Sequence, residues 1–253
     1  MWYKFIMPLG PFFYLYAKTS KEKISWLLYY VMPFISIVLF YDVKPVAACI
    51  AILLIYSAYD IGYIYNNAET IKREDNPTLR FTEFDLQFYE RNKIAIYALK
   101  ILISLFLAFL LYYLYGYAFS VWLLCIVMLI GFFYIYNTTR GVSNFYLQFV
   151  LSFTRFTLPL FILTHYDLTT FVISILIFPL PNFLERTKIK KNNLPFTIHN
   201  TALFRFFYYL VLLLLVIVFS FVMKILSWEW PVLICGYFFS YRTLFYIFEK
   251  VNR

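Results

Sequence analysis

Eight stretches of the sequence are apolar over the length that a helix needs to cross a lipid bilayer. A crossing takes roughly 20 residues, and polar segments separate these stretches. They predict an all-α fold, a polytopic membrane bundle of eight transmembrane helices that forms a single integral membrane domain over residues 1–253. The runs lie at about 24–42, 45–66, 93–115, 117–136, 145–165, 168–185, 203–226 and 230–249.

The composition excludes a soluble protein of this size. Hydrophobic residues make up 63% of the chain and charged residues only 14%, and the mean hydropathy is +0.74. Ordinary globular chains are about 45–50% apolar and about 25% charged. Because the eight crossings use most of the 253 residues, no separate soluble catalytic domain fits in the remainder.

The stretch at 1–17 is apolar but shorter than a span. Pro8, Gly10 and Pro11 interrupt it, and Lys18 follows it directly. We expect an interfacial segment here, with a ninth transmembrane helix as the alternative.

Basic residues are concentrated on one side of the predicted helices. With both termini in the cytoplasm, the external connections hold only Lys44 and Lys224, whereas most other Lys and Arg residues fall on the internal side. By the positive-inside rule this predicts an inner-membrane protein with both termini cytoplasmic. The net charge of +9 therefore reports orientation, and we expect no nucleic-acid partner.

Two longer polar loops face the predicted cytoplasm, at about 66–92 and 186–202. The segments that begin at Asn66 and Asn182 both read Asn-x-x-Glu, continue into Lys and Arg, and reach an Asn-rich stop before a proline. Their starts are 116 residues apart, close to half of the chain. This placement predicts two four-helix pseudo-repeats, although any helix that leaves a bilayer tends to gain such residues.

The first loop combines acidic, amide and basic side chains. A continuing helix would place Asn66, Glu69, Thr70 and Arg73 on one face, with Glu74 a turn further on. Carboxylate and amide oxygens suit Mg²⁺, and Lys and Arg suit phosphate. The alternative is a solvated, salt-paired loop.

Two ionisable residues fall within predicted spans: Asp60 near the cytoplasmic end of the second span, and Arg155 about halfway along the fifth. Such residues are costly in a bilayer and usually face an interior site or a partner, so both are site candidates. The alternative is that they pair only with each other or with backbone. Lys100 and Arg242 are weaker candidates, because each lies near enough to the cytoplasmic end of its span to reach the interface by snorkelling.

Several familiar site types are absent from the sequence. It has no Gly-rich phosphate loop, no nucleophile elbow and no His-rich metal motif. The three cysteines lie in separate apolar runs and are interpreted as buried hydrophobic residues.

Taken together, the helix count, the loop positions and the first-loop motif resemble the UbiA superfamily of intramembrane prenyltransferases. That family carries Asn-x-x-x-Asp-x-x-x-Asp, and the corresponding register here is Asn66, Thr70 and Glu74. The polyprenyl-phosphate (decaprenyl-phosphate) phosphoribosyltransferase branch is the most similar. Its signatures correspond to the following residues: Asn66-Asn67, Pro77-Thr78-Leu79-Arg80-Phe81, Asn144, Arg155 and Glu185.

The resemblance implies transfer of a phosphoribosyl or prenyl group from a diphosphate donor to a lipid-phase acceptor, such as a polyprenyl phosphate, at the cytoplasmic face. Such a reaction would serve cell-surface polysaccharide synthesis. It also implies a Mg²⁺ cofactor. Asn67, Thr70 and Asn144 stand where family members have Asp, which should weaken magnesium binding.

Three groups of candidate residues follow. The expected catalytic and metal-binding residues are Asn66, Glu69, Glu74 and Glu185, and the expected phosphate-binding residues are Lys72, Arg73, Arg80, Arg140 and Arg155. Further candidates are Asp60, Asn67, Asp75, Asn144 and Asn182. The competing hypotheses are a non-catalytic protein that binds or translocates lipid on the same fold, and a structural or assembly subunit.

Overall fold

A computed structural model describes the chain over residues 2–74, 77–139, 142–188, 198–222 and 229–251. All regular structure in this described part is helical. It contains eight helices or helix pairs that are long and apolar enough to cross a membrane, which confirms the predicted all-α integral membrane fold. These spans are Ser20–Leu39, Pro45–Arg73, Glu83–Tyr115, Phe119–Thr138, Val142–Leu163, Leu168–Glu185, Thr201–Phe221 and Glu229–Phe248.

The chain divides into two compact units. Unit 1 comprises residues 1–38 and 43–140, and unit 2 comprises residues 39–42 and 141–253. The first four spans fall in unit 1, apart from Leu39 at the end of the first, and the last four fall in unit 2.

Unit 1 is built around one almost fully buried helix. Its elements are α1 (Trp2–Ile6), α2 (Gly10–Leu15), α3 (Ser20–Trp26), a π-helical turn (Leu27–Val31), α4 (Met32–Leu39), α5 (Pro45–Ala68), a 3₁₀ turn (Thr70–Arg73), α6 (Glu83–Tyr115) and α7 (Phe119–Thr138). Helix α5 packs against α2, α6 and α7. Small residues on α5, including Ala51, Ala58 and Gly62, allow this close approach.

The N-terminal stretch forms a short helical hairpin, α1 and α2, which we call the N-terminal hairpin (residues 2–16). Phe5, Phe12 and Leu15 are buried, and α1 packs on α6 while α2 packs on α5. The two helices have 5 and 6 residues, whereas a crossing needs roughly 20. A ninth span is therefore not formed. The hairpin also packs against α5 and α6 with its apolar side chains buried, which the prediction of an interfacial segment did not include.

The first polar loop is shorter than predicted. Helix α5 continues to Ala68 and α6 already begins at Glu83, so most of the predicted loop at 66–92 is helical. The cause is a capping box at the start of α6. The Thr82 side chain accepts a hydrogen bond from the Asp85 backbone N–H, and the Asp85 carboxylate accepts one from the Thr82 backbone N–H. This exchange lets the helix begin ten residues before its apolar run.

Unit 2 contains a span that is broken in the middle. Its elements are α8 (Val142–Leu163), α9 (Leu168–Ile177), α10 (Pro179–Glu185), a 3₁₀ turn (Arg186–Lys188), α11 (Thr201–Ile217), a π-helical turn (Val218–Val222) and α12 (Glu229–Val251). Helices α9 and α10 together form the sixth span. Of the second predicted loop, 186–202, residues 189–197 lie outside the described residues.

Prolines interrupt the helical hydrogen bonds of the sixth span, and tyrosine hydroxyls of α11 bind the carbonyls that are left free. Pro181 has no N–H to donate to the Ile177 carbonyl four residues earlier. Instead the Tyr209 hydroxyl of α11 donates to that carbonyl at 2.8 Å, and the Tyr208 hydroxyl donates to the Leu176 carbonyl at 2.6 Å. The freed backbone acceptors are thus satisfied inside the apolar bundle, as a bilayer requires.

Candidate functional site

Three side chains from three segments of unit 1 meet where α5 ends. We call Tyr16, Asn67 and Arg80 the Arg80 site. Asn67 is buried near the end of α5, and its amide donates to the Tyr16 hydroxyl at 2.9 Å and to the Tyr63 carbonyl at 2.8 Å. The Arg80 guanidinium lies 4.5 Å from the centre of the Tyr16 ring. It also donates to the Asn67 side-chain oxygen at 3.5 Å, a long hydrogen bond.

Among the described residues, Arg80 contacts neutral groups alone. Its contacts within the described chain are a phenol ring and an amide oxygen, and no carboxylate there lies within ion-pair distance. A guanidinium keeps its charge at any physiological pH and offers a planar set of donors that matches phosphate. Because its charge is not neutralised by the described residues and its side chain is partly exposed, Arg80 is suited to bind an anion.

Glu69, by contrast, already has positively charged partners. Its Oε2 accepts from the Lys72 ammonium at 2.8 Å, and its Oε1 accepts from the Tyr89 hydroxyl at 2.8 Å. Lys72 also bonds Glu90, and Lys93 lies 4.0 Å from Glu69 and 3.9 Å from Glu90. The two glutamates and two lysines alternate, which ties the end of α5 to α6. Glu69 and Lys72 therefore fit the alternative prediction for the first polar loop, a salt-paired loop.

Glu185 is likewise held by a cation, in unit 2. The Arg205 guanidinium of α11 donates through Nη2 to Glu185 Oε2 at 2.6 Å and through Nε to Oε1. This two-pronged contact joins α10 to α11 across the second polar segment.

The predicted helical row from Asn66 to Glu74 is not formed. Helix α5 ends at Ala68, and Thr70–Arg73 form a 3₁₀ turn, which rotates successive side chains differently from an α-helix. Thr70 is buried, Arg73 and Glu74 are exposed, and Glu74 has extended backbone. Asn66 is half-buried in the last turn of α5.

These donors fit a magnesium ion poorly as they stand. Within the described chain, no three Asp, Glu, His or Cys side chains come together in a way that could hold a metal ion. Glu69 and Glu185 are both neutralised by cations. A magnesium cofactor therefore stays a prediction.

Asp60 and Lys100 form an ion pair inside unit 1. The Lys100 ammonium donates to Asp60 Oδ2 at 2.7 Å, and both side chains are 0% exposed. The expectation that Lys100 snorkels to the interface is wrong, because α6 turns it towards α5. The partner of Asp60 is thus a lysine one helix away, together with the Leu9 backbone N–H at 3.1 Å.

The remaining candidates are divided between unit 2 and the undescribed segments. Arg155 lies in α8 with its guanidinium 4.8 Å from the Phe156 ring centre. Asn144 lies in the first turn of α8 and Asn182 in α10, both partly exposed. The rings of Phe145 and Phe183 pack in a tilted arrangement with their centres 4.1 Å apart, which brings α10 to the start of α8. Asp75 and Arg140 lie outside the described residues.

A comparison with known protein families, characterised proteins and solved structures found no match to this chain. The resemblance to the UbiA superfamily remains a prediction that rests on the residues named above.

Sequence reasoning missed the partners that define these sites. Tyr16 falls in the predicted interfacial segment, and nothing in the sequence indicates that its ring contacts the Arg80 guanidinium. Tyr89 and Arg205 are the partners of the two predicted glutamates. One signal was available, since Lys100 falls in an apolar run at a depth comparable with Asp60 in the preceding span. The others depend on contacts between distant segments.

Proposed function

We propose that this chain is a UbiA-like transferase of the inner membrane, which moves a phosphoribosyl or prenyl group from a diphosphate donor to a lipid-phase acceptor at its cytoplasmic face. The observation that carries the proposal is the Arg80 site, a guanidinium fixed by Tyr16 and Asn67 with no described carboxylate to neutralise it. In the phosphoribosyl version, phosphoribosyl pyrophosphate is the donor and a polyprenyl phosphate is the acceptor.

In this proposal Arg80 binds phosphate oxygens of the donor. Arg73, exposed at the end of the 3₁₀ turn after α5, adds positive charge on the approach. A guanidinium that is fixed before the substrate arrives stabilises charge that develops on a leaving diphosphate without reorganising. Lys72 is shared with Glu69 and Glu90, and its main effect is to hold the end of α5.

The pseudo-repeat is part of the same proposal. Glu69 and Glu185 are 116 residues apart. Glu69 directly follows α5 in the second span of unit 1, and Glu185 ends the second span of unit 2. Each also contacts a basic residue of the next helix, Lys93 of α6 at 4.0 Å and Arg205 of α11. Matching contacts at matching positions support a duplicated four-helix fold.

The test uses membranes that contain the protein, labelled phosphoribosyl pyrophosphate and a polyprenyl phosphate, with and without magnesium. Label that becomes extractable into organic solvent reports transfer. We expect Arg80→Ala to lower transfer by about a hundredfold, as for the loss of one charged donor to a transition state. Arg91→Ala is the matched control, since Arg91 is exposed on α6 with no described acidic partner. Equal activity in both variants would contradict the assignment of Arg80.

The second candidate function is non-catalytic binding or translocation of a lipid phosphate on the same fold. The neutralisation of Glu69 by Lys72 and of Glu185 by Arg205 favours it, because both glutamates are engaged without a metal. It predicts that a polyprenyl phosphate binds equally well after magnesium is chelated and that no label is transferred. Loss of binding on chelation would exclude it.

A further inference from the structure

The buried ion pair of unit 1 contacts the backbone of the N-terminal hairpin at its turn. Lys100, besides binding Asp60, donates to the Met7 carbonyl at 3.0 Å, and the Leu9 N–H donates to the same Asp60 oxygen. Leu9 has φ of +67°, which is unusual for a residue other than glycine. The pair therefore binds one particular backbone conformation of this turn.

A second carboxylate holds both helices of the hairpin. Asp85 at the start of α6 accepts from Lys4 of α1 at 3.0 Å and from the Tyr14 hydroxyl of α2 at 2.6 Å. Burial alone would lower the pKa of Lys4, but its hydrogen bonds to Asp85 and Tyr14 and the charge of Asp85 raise that pKa above its ordinary value. Lys4 thus stays charged and bound at physiological pH.

The last residue of the N-terminal hairpin, Tyr16, contacts the Arg80 guanidinium. Tyr16 follows α2 directly, and its ring and hydroxyl contact Arg80 and Asn67. Between the turn at Leu9 and Tyr16 lie only the six residues of α2. The place of Tyr16 is therefore set by where Asp60, Lys100 and Asp85 hold the hairpin.

We propose that Asp60 and Lys100 are positioning residues for phosphate binding, which act through the N-terminal hairpin and Tyr16 on the Arg80 guanidinium. This inference rests on the proposed function, and it gives the two intramembrane charges a role without substrate contact. Stability alone accounts poorly for the pair, because replacing a buried ion pair with apolar residues is often neutral or stabilising. Apolar residues could not make the hydrogen bonds to the Met7 carbonyl and the Leu9 N–H.

The experiment compares the double variant Asp60→Leu/Lys100→Met with wild type in detergent or nanodiscs. The double variant avoids leaving one charge buried alone, which would be strongly destabilising. Ser104→Ala is the control, because Ser104 is buried on α6 one turn from Lys100 and its hydroxyl bonds only the Lys100 carbonyl among the described residues. Three properties are measured: the unfolding temperature, the position of the hairpin and the affinity for phosphate ligands.

Hairpin position is read by maleimide labelling of Ala17→Cys in a Cys49→Ala background. Ala17 is 2% exposed, and the other two cysteines are buried. We expect the double variant to unfold at about the wild-type temperature yet to label at least several times faster, while Ser104→Ala labels as wild type does. Unchanged labelling in a folded double variant would overturn the anchoring role.

Affinity is measured for phosphoribosyl pyrophosphate and for a polyprenyl phosphate. We expect the double variant to bind about tenfold more weakly, the loss expected for a desolvated cation–π contact. Adding Tyr16→Leu should weaken binding no further, since both changes act through the same ring. Additive losses, or wild-type affinity in the double variant, would refute positioning. If wild type binds neither ligand, the proposed function fails and the positioning role with it, while labelling still reports on the anchor.

Discussion

Gly62 of α5 lies directly against the ring of Phe133 in α7. A Cβ atom at position 62 would overlap the ring carbons nearest to the Phe133 backbone, which cannot swing away as a chain end could. The two helices thus approach as closely as a glycine allows. The Asn137 amide donates to the Gly62 carbonyl at 3.3 Å beside this contact.

The first prediction follows from that contact. Gly62→Ala should destabilise unit 1 by about 1–3 kcal/mol, the usual cost of overpacking a core. Gly131→Ala on α7 is the matched control, because a Cβ there meets nothing within 4 Å. Thermal unfolding in detergent checks both, and in a Phe133→Ala background the same Gly62→Ala change should cost much less, because the ring that it would overlap is gone. A Gly62→Ala protein as stable as the control would show that α5 and α7 pack differently.

The capping box of α6 gives the second prediction. Thr82→Ala removes the acceptor of the Asp85 N–H and the donor to the Asp85 carboxylate, so we expect a loss of about 1 kcal/mol. Thr78→Ala, at an exposed position in the same segment, should have no measurable effect. The unfolding temperatures of the two variants give the comparison, and equal values would mean that the cap does not stabilise the fold.

The broken sixth span gives the third prediction. Tyr209→Phe leaves the buried Ile177 carbonyl without its hydroxyl donor, which should cost about 1–3 kcal/mol. Tyr246→Phe on α12 is a suitable control, since that ring stacks on Phe206 and has no described hydroxyl hydrogen bond. Unfolding monitored by tryptophan fluorescence distinguishes them. Equal stability would indicate that the carbonyl has another donor.

The fourth prediction concerns alkaline pH. Burial, aided by Asp167, raises the pKa of Tyr41 to about 12 despite the donation from Trp230 that opposes it. The neutral phenol therefore stabilises the folded state fully below the ordinary pKa of about 10, and this contribution is lost as pH rises through about 12. Tyr41→Phe should unfold at a lower temperature than wild type at pH 8, and the gap should narrow between pH 10 and 12. A constant gap would contradict the assignment.

The helices could be predicted from the sequence because an apolar run long enough to cross a bilayer has few other possible structures. Every predicted run overlaps one of the eight spans, although their bounds differ by several residues and the run at 203–226 extends beyond the described residues. Helix ends were less predictable where side chains set them. Thr82 starts α6 ten residues early through a cap, and the 3₁₀ turn after Ala68 rotates Glu69 and Glu74 away from a common row.

The candidate site was only partly predictable. Residue type and position marked Arg80, Asn67 and Asp60 as polar groups near or within a span, which was sufficient to single them out. Their partners lie 13 to 64 residues away, and pairing at that range depends on packing that no local pattern encodes. Lys100 shows most clearly what the sequence leaves open. Its depth in the span suggested snorkelling, but its side chain points inward and pairs with Asp60.

The anchoring of the N-terminal hairpin also determines when unit 1 can be completed during synthesis. The hairpin's partners Asp60, Asp85 and Lys100 lie 51, 81 and 93 residues further along the chain from the groups they bind. At about 5–20 residues per second, the ribosome needs roughly 5–20 s to reach the last of them. The hairpin can therefore complete these contacts only after the chain has been made as far as Lys100, within the third span.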